Sequence, residues 1–358
     1  MTPRLFEPLA IRSQTFANRL WVSPMCQYSA VDGVVQPWHL AHLGGLALGR
    51  PGLIIAEKTA VLPEGRITPQ CAGIWDAERA AAWARIVGFV TGEQGVPLGI
   101  QLGHAGRKAS TYAPRPGSPA GSVPLAEGGW ETVGPSPLAF GEHTAPRELS
   151  ATEIEDLVRA FADAAKRAED AGFAVVEIHG AHGYLIHQFL SPLSNVRTDG
   201  YGGSAEGRMR FAVEVAEAVR AAVSIPVFMR LSANDWVEGG LVPEDFAAIV
   251  PALEAAGVDL FDVSTGGLDP RQRIALGPGY QVPAARTLKS FATVPVTSVG
   301  LITEAAQAEQ ILVDGDADAV FAGREFLRDR ELPRRAAAEL GAEVDWPWQY
   351  ERAKPRRA

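Results

Sequence analysis

Residues 174–187 read Ala-Val-Val-Glu-Ile-His-Gly-Ala-His-Gly-Tyr-Leu-Ile-His. The first part, Ala174–His179, is a short run rich in β-branched residues, with Val176 and Ile178 on one face and Glu177 and His179 on the other. At Gly180 the apolar run stops, and two further histidines and a tyrosine follow. A strand that ends in chemistry-bearing residues marks the C-terminal mouth of a parallel α/β sheet. Just upstream, Ser150 and Glu153 form a capping box that opens a helical pattern over Ala151–Ala171.

Outward from this unit the same rhythm repeats. Strands are predicted at Arg19–Met25, Leu53–Ala60, Pro97–Leu102, Val227–Ser232, Leu260–Ser264, Val296–Val299 and Ala319–Ala322. Helical patterns fall near Leu40–Leu48, Ala77–Thr91, Ala205–Val223, Glu244–Ala256, Pro283–Ser290 and Glu304–Val313. Eight strands, each followed by a helix, fit an α/β fold of the (β/α)8 TIM-barrel type better than a doubly wound sheet. The chain has 358 residues, 47% hydrophobic and 21% charged, and is read as one domain over 1–358.

One connection breaks the rhythm. The segment 106–150 carries Pro114, Pro116, Pro119, Pro124, Pro135, Pro137 and Pro146. A loop of this length after the third strand belongs to the active face of a barrel, and Trp130 and Phe140 give it the character of a packed lid. At the far end, 343–358 reads as a C-terminal tail.

A net charge of −9 argues against general affinity for nucleic acid or anionic membrane, while leaving room for a local basic pocket. Met1–Phe16 interrupts its apolar residues with Arg4, Glu7 and Arg12, so no signal peptide is read there, and no later run is long enough to span a bilayer. With only Cys26 and Cys71, a reduced cytoplasmic setting is expected. Zinc ribbons and cysteine-ligated clusters lack their ligands, so no metal is assigned.

Alternation directs Gln101, Glu177, His179 and Arg230 into the barrel, leaving Ile100, Leu102, Val176, Ile178, Val227, Met229 and Leu231 for the helices. A buried guanidinium needs a partner. It is either an internal salt bridge, Arg230 with Glu177, or part of a site that contacts a bound polar ring system together with Gln101. Gly300, with Thr303 placed to cap the next helix, and Gly323-Arg324 point to a phosphate site after strands seven and eight.

His179, His182 and Tyr184 suit a clamp that grips a carbonyl oxygen and delivers a proton. Zinc is the rival ligand, but no HExxH helix and no carboxylate at a familiar metal spacing accompany them. His187 is placed on the following helix as structural. Cys26 has no base nearby in sequence and reads as a buried or tuning thiol. No G-x-G-x-x-G follows a strand, so a nicotinamide would share the substrate's pocket.

Taken in order, Ser23-Pro24-Met25-Cys26-Gln27-Tyr28, Gln101 to Lys108, His179 to His187, Arg197 to Ser204, Met229-Arg230, Gly300 to Thr303 and Ala322-Gly323-Arg324 resemble the Old Yellow Enzyme family. Within it they are similar to the bacterial class of YqjM-like and xenobiotic-reductase-like ene-reductases. The resemblance implies FMN at the mouth, contacted by Ser23, Pro24, Met25, Cys26, Ala60, Gln101, Arg230 and Val299. Gly300, Gly323 and Arg324 would bind its phosphate. His179 and His182 would hold an enone-type substrate, Tyr184 would donate the proton, and Tyr28 would line the pocket. NADPH or NADH would be the reductant in a ping-pong cycle. A homodimer or dimer-based homotetramer is implied, with Arg352 reaching a neighbour's site. The rival readings are a metal-dependent barrel hydrolase using His179 and His182, and a flavin-binding protein without turnover.

Overall fold

A computed structural model describes residues 2–354. Eight parallel strands close into a barrel in chain order: β1 (Leu20–Val22), β2 (Ile54–Ala60), β3 (Leu98–Gly103), β4 (Val175–Gly180), β5 (Val227–Ser232), β6 (Leu260–Ser264), β7 (Val296–Ser298) and β8 (Ala319–Ala322), with β8 pairing back to β1. The surrounding helices are α1 (Pro37–Leu48), α2 (Ala77–Val87), α3 (Ala151–Asp170), α4 (Ala205–Ala222), α5 (Phe246–Ala255), α6 (Val282–Lys289), α7 (Ala305–Val313) and α8 (Leu332–Leu340). This is the expected (β/α)8 architecture. Among the described residues, no helix is long and apolar enough to cross a membrane.

The two faces of the strands separate as alternation requires. Ile100, Leu102, Val176, Ile178, Val227, Met229 and Leu231 join the large core between strands and helices. The interior holds Trp21, Ile55, Val175, Phe228, Leu260, Ala319 and Phe321. Trp21 stacks on Phe228 at 6.1 Å and meets Phe321 edge-on at 5.4 Å, filling the barrel's lower half with aromatic volume. Below them, a hairpin of Leu9–Ile11 and Gln14–Phe16 closes the bottom, with Phe16 4.9 Å from the Trp21 ring. Its strands are three residues each, too short for periodicity to reveal.

Several boundaries differ from the sequence reading. The first strand leaves its ladder at Val22, so Ser23 to Tyr28 are free to cross the mouth. The first helix begins at Pro37, because proline suits the first turn and the Gln36 backbone N–H donates to His39 Nδ1 at 3.0 Å. The capping box of α3 forms as read, with Ser150 N donating to Glu153 Oε2 at 2.8 Å and Glu153 N to Ser150 Oγ at 3.3 Å. Thr303 does not cap α7. Glu304 occupies that position, and the Gln307 side chain reaches back to accept from Thr303 N at 3.1 Å.

The long connection after β3 is built from short turns and one two-residue pairing of Val133–Gly134 with Arg147–Glu148. Trp130 folds inward and donates from Nε1 to the Glu64 carbonyl at 2.8 Å. Phe140 lies 4.4 Å below the Lys108 ammonium.

Candidate active site

Above the aromatic layer the barrel interior turns polar. Gln101 Nε2 donates to Glu177 Oε1 at 2.7 Å, and Arg230 Nε lies 3.1 Å from Asp262 Oδ2. An internal ion pair, one of the two alternatives left open by the sequence, does form, but with Asp262 rather than Glu177. Strand register decides this: β5 and β6 set Arg230 opposite Asp262, while β3 and β4 set Gln101 opposite Glu177. Asp262 escaped the sequence reading, although it interrupts Phe261 and Val263 just as Arg230 interrupts Met229 and Leu231.

Two carboxylates share one guanidinium here. Burial pushes the Glu177 carboxyl up to about 8, with the Asp262 charge adding and Arg230 and Gln101 opposing. Burial likewise raises Asp262. Both carboxyls therefore hold a proton more readily than free ones. Glu177 Oε2, Arg230 Nε and Asp262 Oδ2 are buried without an aligned hydrogen bond. Arg230 Nε and Asp262 Oδ2 face each other as an ion pair, but Glu177 Oε2 has no partner, and such an orphaned atom fits a polar ligand seated on this layer.

Arg230 also lines a cavity of about 220 Å3 together with Met25, Val299, Gly300, Gly323 and Arg324. Arg230 of the polar layer and the basic end at Arg324 therefore share one space, as a phosphorylated ring system requires. Gly300 has φ 116°, and a Cβ there would fall 2.7 Å from the Gln281 side chain, so glycine is demanded. Arg328 lines the same cavity and was not singled out, since nothing in its local sequence marks it.

At the end of β4 the histidine pair converges. The His179 and His182 rings stand 5.2 Å apart at 82°, and Tyr184 lies 5.1 Å from His179. His182 adopts a φ of 58°, and its backbone N–H donates to Ser232 Oγ at 2.9 Å. Its Nε2 meets Ser264 Oγ at 2.7 Å, closer than the 3.2 Å from that hydroxyl to Gln281 Oε1. The hydroxyl has one proton to give: given to His182 it puts the ring's own proton on Nδ1, given to Gln281 it leaves that proton on Nε2. His187 is structural, as read. Its Nδ1 accepts from Gly183 N at 2.9 Å and its Nε2 pairs with buried Asp235 at 2.8 Å, pinning the turn that presents Tyr184.

Burial holds both imidazoles well below the ordinary histidine range, with neighbouring positive charge adding. Burial pushes the Tyr184 phenol up, helped by Cys26, Tyr28 and Cys71. The site therefore presents neutral imidazoles and a protonated phenol. Two lysines flank that phenol: Lys108 Nζ lies 5.3 Å and Lys58 Nζ 5.9 Å from the ring centre. Lys58 is buried, bonds the Gly65 carbonyl, and is pushed down to about 8 by burial. Periodicity could not place it, because the β2–β3 register slips between Ala56 and Lys58.

Cys26, Tyr28, Trp130 and Tyr184 pack together on Ile67, Cys71, Ala105 and Ala109. The segment that carries Cys26 is anchored from behind: Gln27 N donates to Glu57 Oε2 at 3.1 Å, and Glu57 pairs with His39 at 3.2 Å in full burial. Burial, followed by Cys71 and Glu57, raises the Cys26 thiol, so it is no thiolate. Ser23 N donates to the Ala322 carbonyl at 2.9 Å, and Ala60 ends β2 beside the same mouth.

Arg352 is not brought to this mouth within one chain. It lies exposed in the turn Trp348–Ala353, whose Tyr350 sits 6.0 Å from Arg334. Arg334 in turn donates to the Leu48 carbonyl at the end of α1. Residues 355–358 of the tail lie outside the described residues.

The chain matches the NADH:flavin oxidoreductase / NADH oxidase family over residues 4–343. It is 46% identical over 355 residues to an NADPH dehydrogenase of Geobacillus thermodenitrificans (strain NG80-2), covering 98% of this chain and 99% of the relative. The NADPH dehydrogenase of Bacillus subtilis (strain 168) is 45% identical with the same coverage. Among solved structures, morphinone reductase superposes with a TM-score of 0.79 at 28% identity, over 97% of this chain and 92% of that one. A complex of 2-naphthoyl-CoA reductase with 2-naphthoyl-CoA superposes at 0.85 and 25% identity, over 95% of this chain but only 53% of that larger one.

Proposed function

The chain belongs to the NADH:flavin oxidoreductase / NADH oxidase family of Old Yellow Enzyme type, and from that premise we propose that it is a cytoplasmic ene-reductase that saturates activated C=C bonds of α,β-unsaturated carbonyl compounds. The observation that carries this reading is the cluster of two neutral imidazoles and a protonated phenol at one strand end.

FMN, when bound, supplies hydride transfer between the nicotinamide and the substrate's β-carbon. Ser23 to Cys26, Ala60, Gln101, Arg230 and Val299 would hold its ring, and Gly300, Gly323 and Arg324 its phosphate. Arg230 would offer a positive charge to the ring as it gains electrons. His179 and His182 donate to the substrate carbonyl and stabilise its enolate-like transition state, typically the largest catalytic contribution. Tyr184 gives its proton to the α-carbon. Tyr28 and the Trp130-bearing loop exclude water from one side. Reductant and oxidant visit one mouth in turn, so the cycle is ping-pong.

Anaerobic titration tests this. The purified protein should be yellow, bleach with NADPH or NADH, and recolour on mixing with an enone such as 2-cyclohexenone. Colourless, metal-replete protein indifferent to FMN would support a hydrolase instead. Yellow protein that neither nicotinamide bleaches would support binding without turnover.

Assembly is part of the same reading. Trp348 is 81% exposed in the C-terminal turn that carries Arg352, a surface suited to a second subunit. A homodimer, alone or within a tetramer, would let Arg352 complete the neighbour's pocket. Sedimentation showing a fully active monomer would overturn it.

A further inference from the structure

We propose that the cavity beneath the connection from Gly106 to Ser150 is an anion subsite, taking a carboxylate or phosphate group carried by molecules that visit the mouth. This space of about 370 Å3 is lined by Tyr28, Lys108, Tyr112, Arg115 and His143, and no carboxylate is among its lining residues. Lys108 and Arg115, with the imidazole of His143, face one space in a chain whose net charge is −9.

The charges there are under-compensated. Lys108 Nζ donates to the carbonyls of His182 at 2.9 Å and Gly267 at 2.8 Å, dipoles rather than full counter-charges. Arg115 spends one N–H on the Tyr28 carbonyl at 3.1 Å and otherwise keeps its fork of donors. His143 Nδ1 is buried with no hydrogen-bond partner. The Glu127 carboxylate is engaged at the rim, accepting from the Tyr112 hydroxyl at 2.8 Å. Burial, with Arg107 adding, pushes Lys108 down to about 7. An anion would reverse that cost by supplying the missing counter-charge.

The cavity adjoins the proton donor, since Lys108 lies 5.3 Å from the Tyr184 ring centre and Tyr28 packs in the same apolar patch as Tyr184. A group held here would therefore be attached to a molecule whose other end reaches His179 and His182. The subsite deepens the ene-reductase reading by naming a class of ligand, acidic enones or a phosphorylated reductant, and rests on that reading only for which molecule carries the anion.

Calorimetry on the holoprotein tests the subsite without turnover. One pair of probes is 4-hydroxybenzoate against its methyl ester, and the other is adenosine 2′-phosphate against adenosine. The charged member of at least one pair should bind about tenfold tighter. The first pair discriminating identifies a substrate carboxylate, the second a reductant phosphate. Arg115→Ala or Lys108→Met should abolish the preference, and Arg115→Lys should keep part of it. Arg115 is exposed, so its replacement leaves the fold intact. Equal affinity within both pairs, or a preference surviving both Arg115→Ala and Lys108→Met, overturns the proposal. Protein that binds the charged probe yet is bleached by neither NADPH nor NADH would sink the ene-reductase reading and leave the subsite standing.

Discussion

Arg230 pairs across the barrel interior with Asp262, Nε to Oδ2 at 3.1 Å, while Glu177, the nearer guess from sequence, bonds Gln101 instead. The guanidinium is thus the direct partner of Asp262 and only a more distant counter-charge to Glu177.

Replacing Arg230 by Met should destabilise the fold by about 3–5 kcal/mol, the range for breaking a buried ion pair by removing one partner. Urea unfolding should show a lower midpoint with an unchanged slope. The deficit should shrink as pH falls and the raised carboxyls of Glu177 and then Asp262 take up protons. An unchanged midpoint would mean the layer is solvated.

Tyr184→Phe separates the two half-reactions. Enone reduction should slow by roughly 10²–10⁴-fold, the usual worth of a positioned acid. Bleaching of the flavin by NADPH should stay within about twofold, since no proton from Tyr184 is needed there. Stopped-flow absorbance reads both. Equal loss in the two would remove Tyr184 from the acid's role.

Ser264 sits behind His182 at 2.7 Å and sets which ring nitrogen bears the proton. Ser264→Ala should free the ring and weaken phenol binding by about tenfold, seen in the long-wavelength charge-transfer band of the holoprotein, a loss of about 1.4 kcal/mol. Ser264→Thr should restore most of the affinity. A band of wild-type strength in the alanine variant would show that His182 holds its tautomer unaided.

Acid should destabilise the fold through buried imidazoles. Burial, then the Lys58 charge, pushes His104 down to about 3, and burial, then Arg330 and His39, pushes His42 down to about 4. Unfolded, both titrate near about 6.5. As pH falls below that value the unfolded chain takes up protons that the folded chain refuses, so stability declines toward pH about 4. Urea midpoints should fall steadily across this window, and His42→Gln should flatten the slope. A wild-type midpoint constant from pH about 7 to about 4.5 would contradict the assignment.

The barrel and the histidine pair were legible in the linear chain because each is a local property. Val227–Ser232 and Leu260–Ser264 announce themselves by composition and alternation, and His179, His182 and Tyr184 lie within six residues at one strand end. Partnership between distant strands is not local. That Arg230 meets Asp262, that Ser264 backs His182, and that Lys58 flanks Tyr184 depend on strand stagger and on a one-residue slip between β2 and β3. The closed, sheared barrel fixes those registers only after all eight strands have joined, and no stretch of residues carries that information by itself.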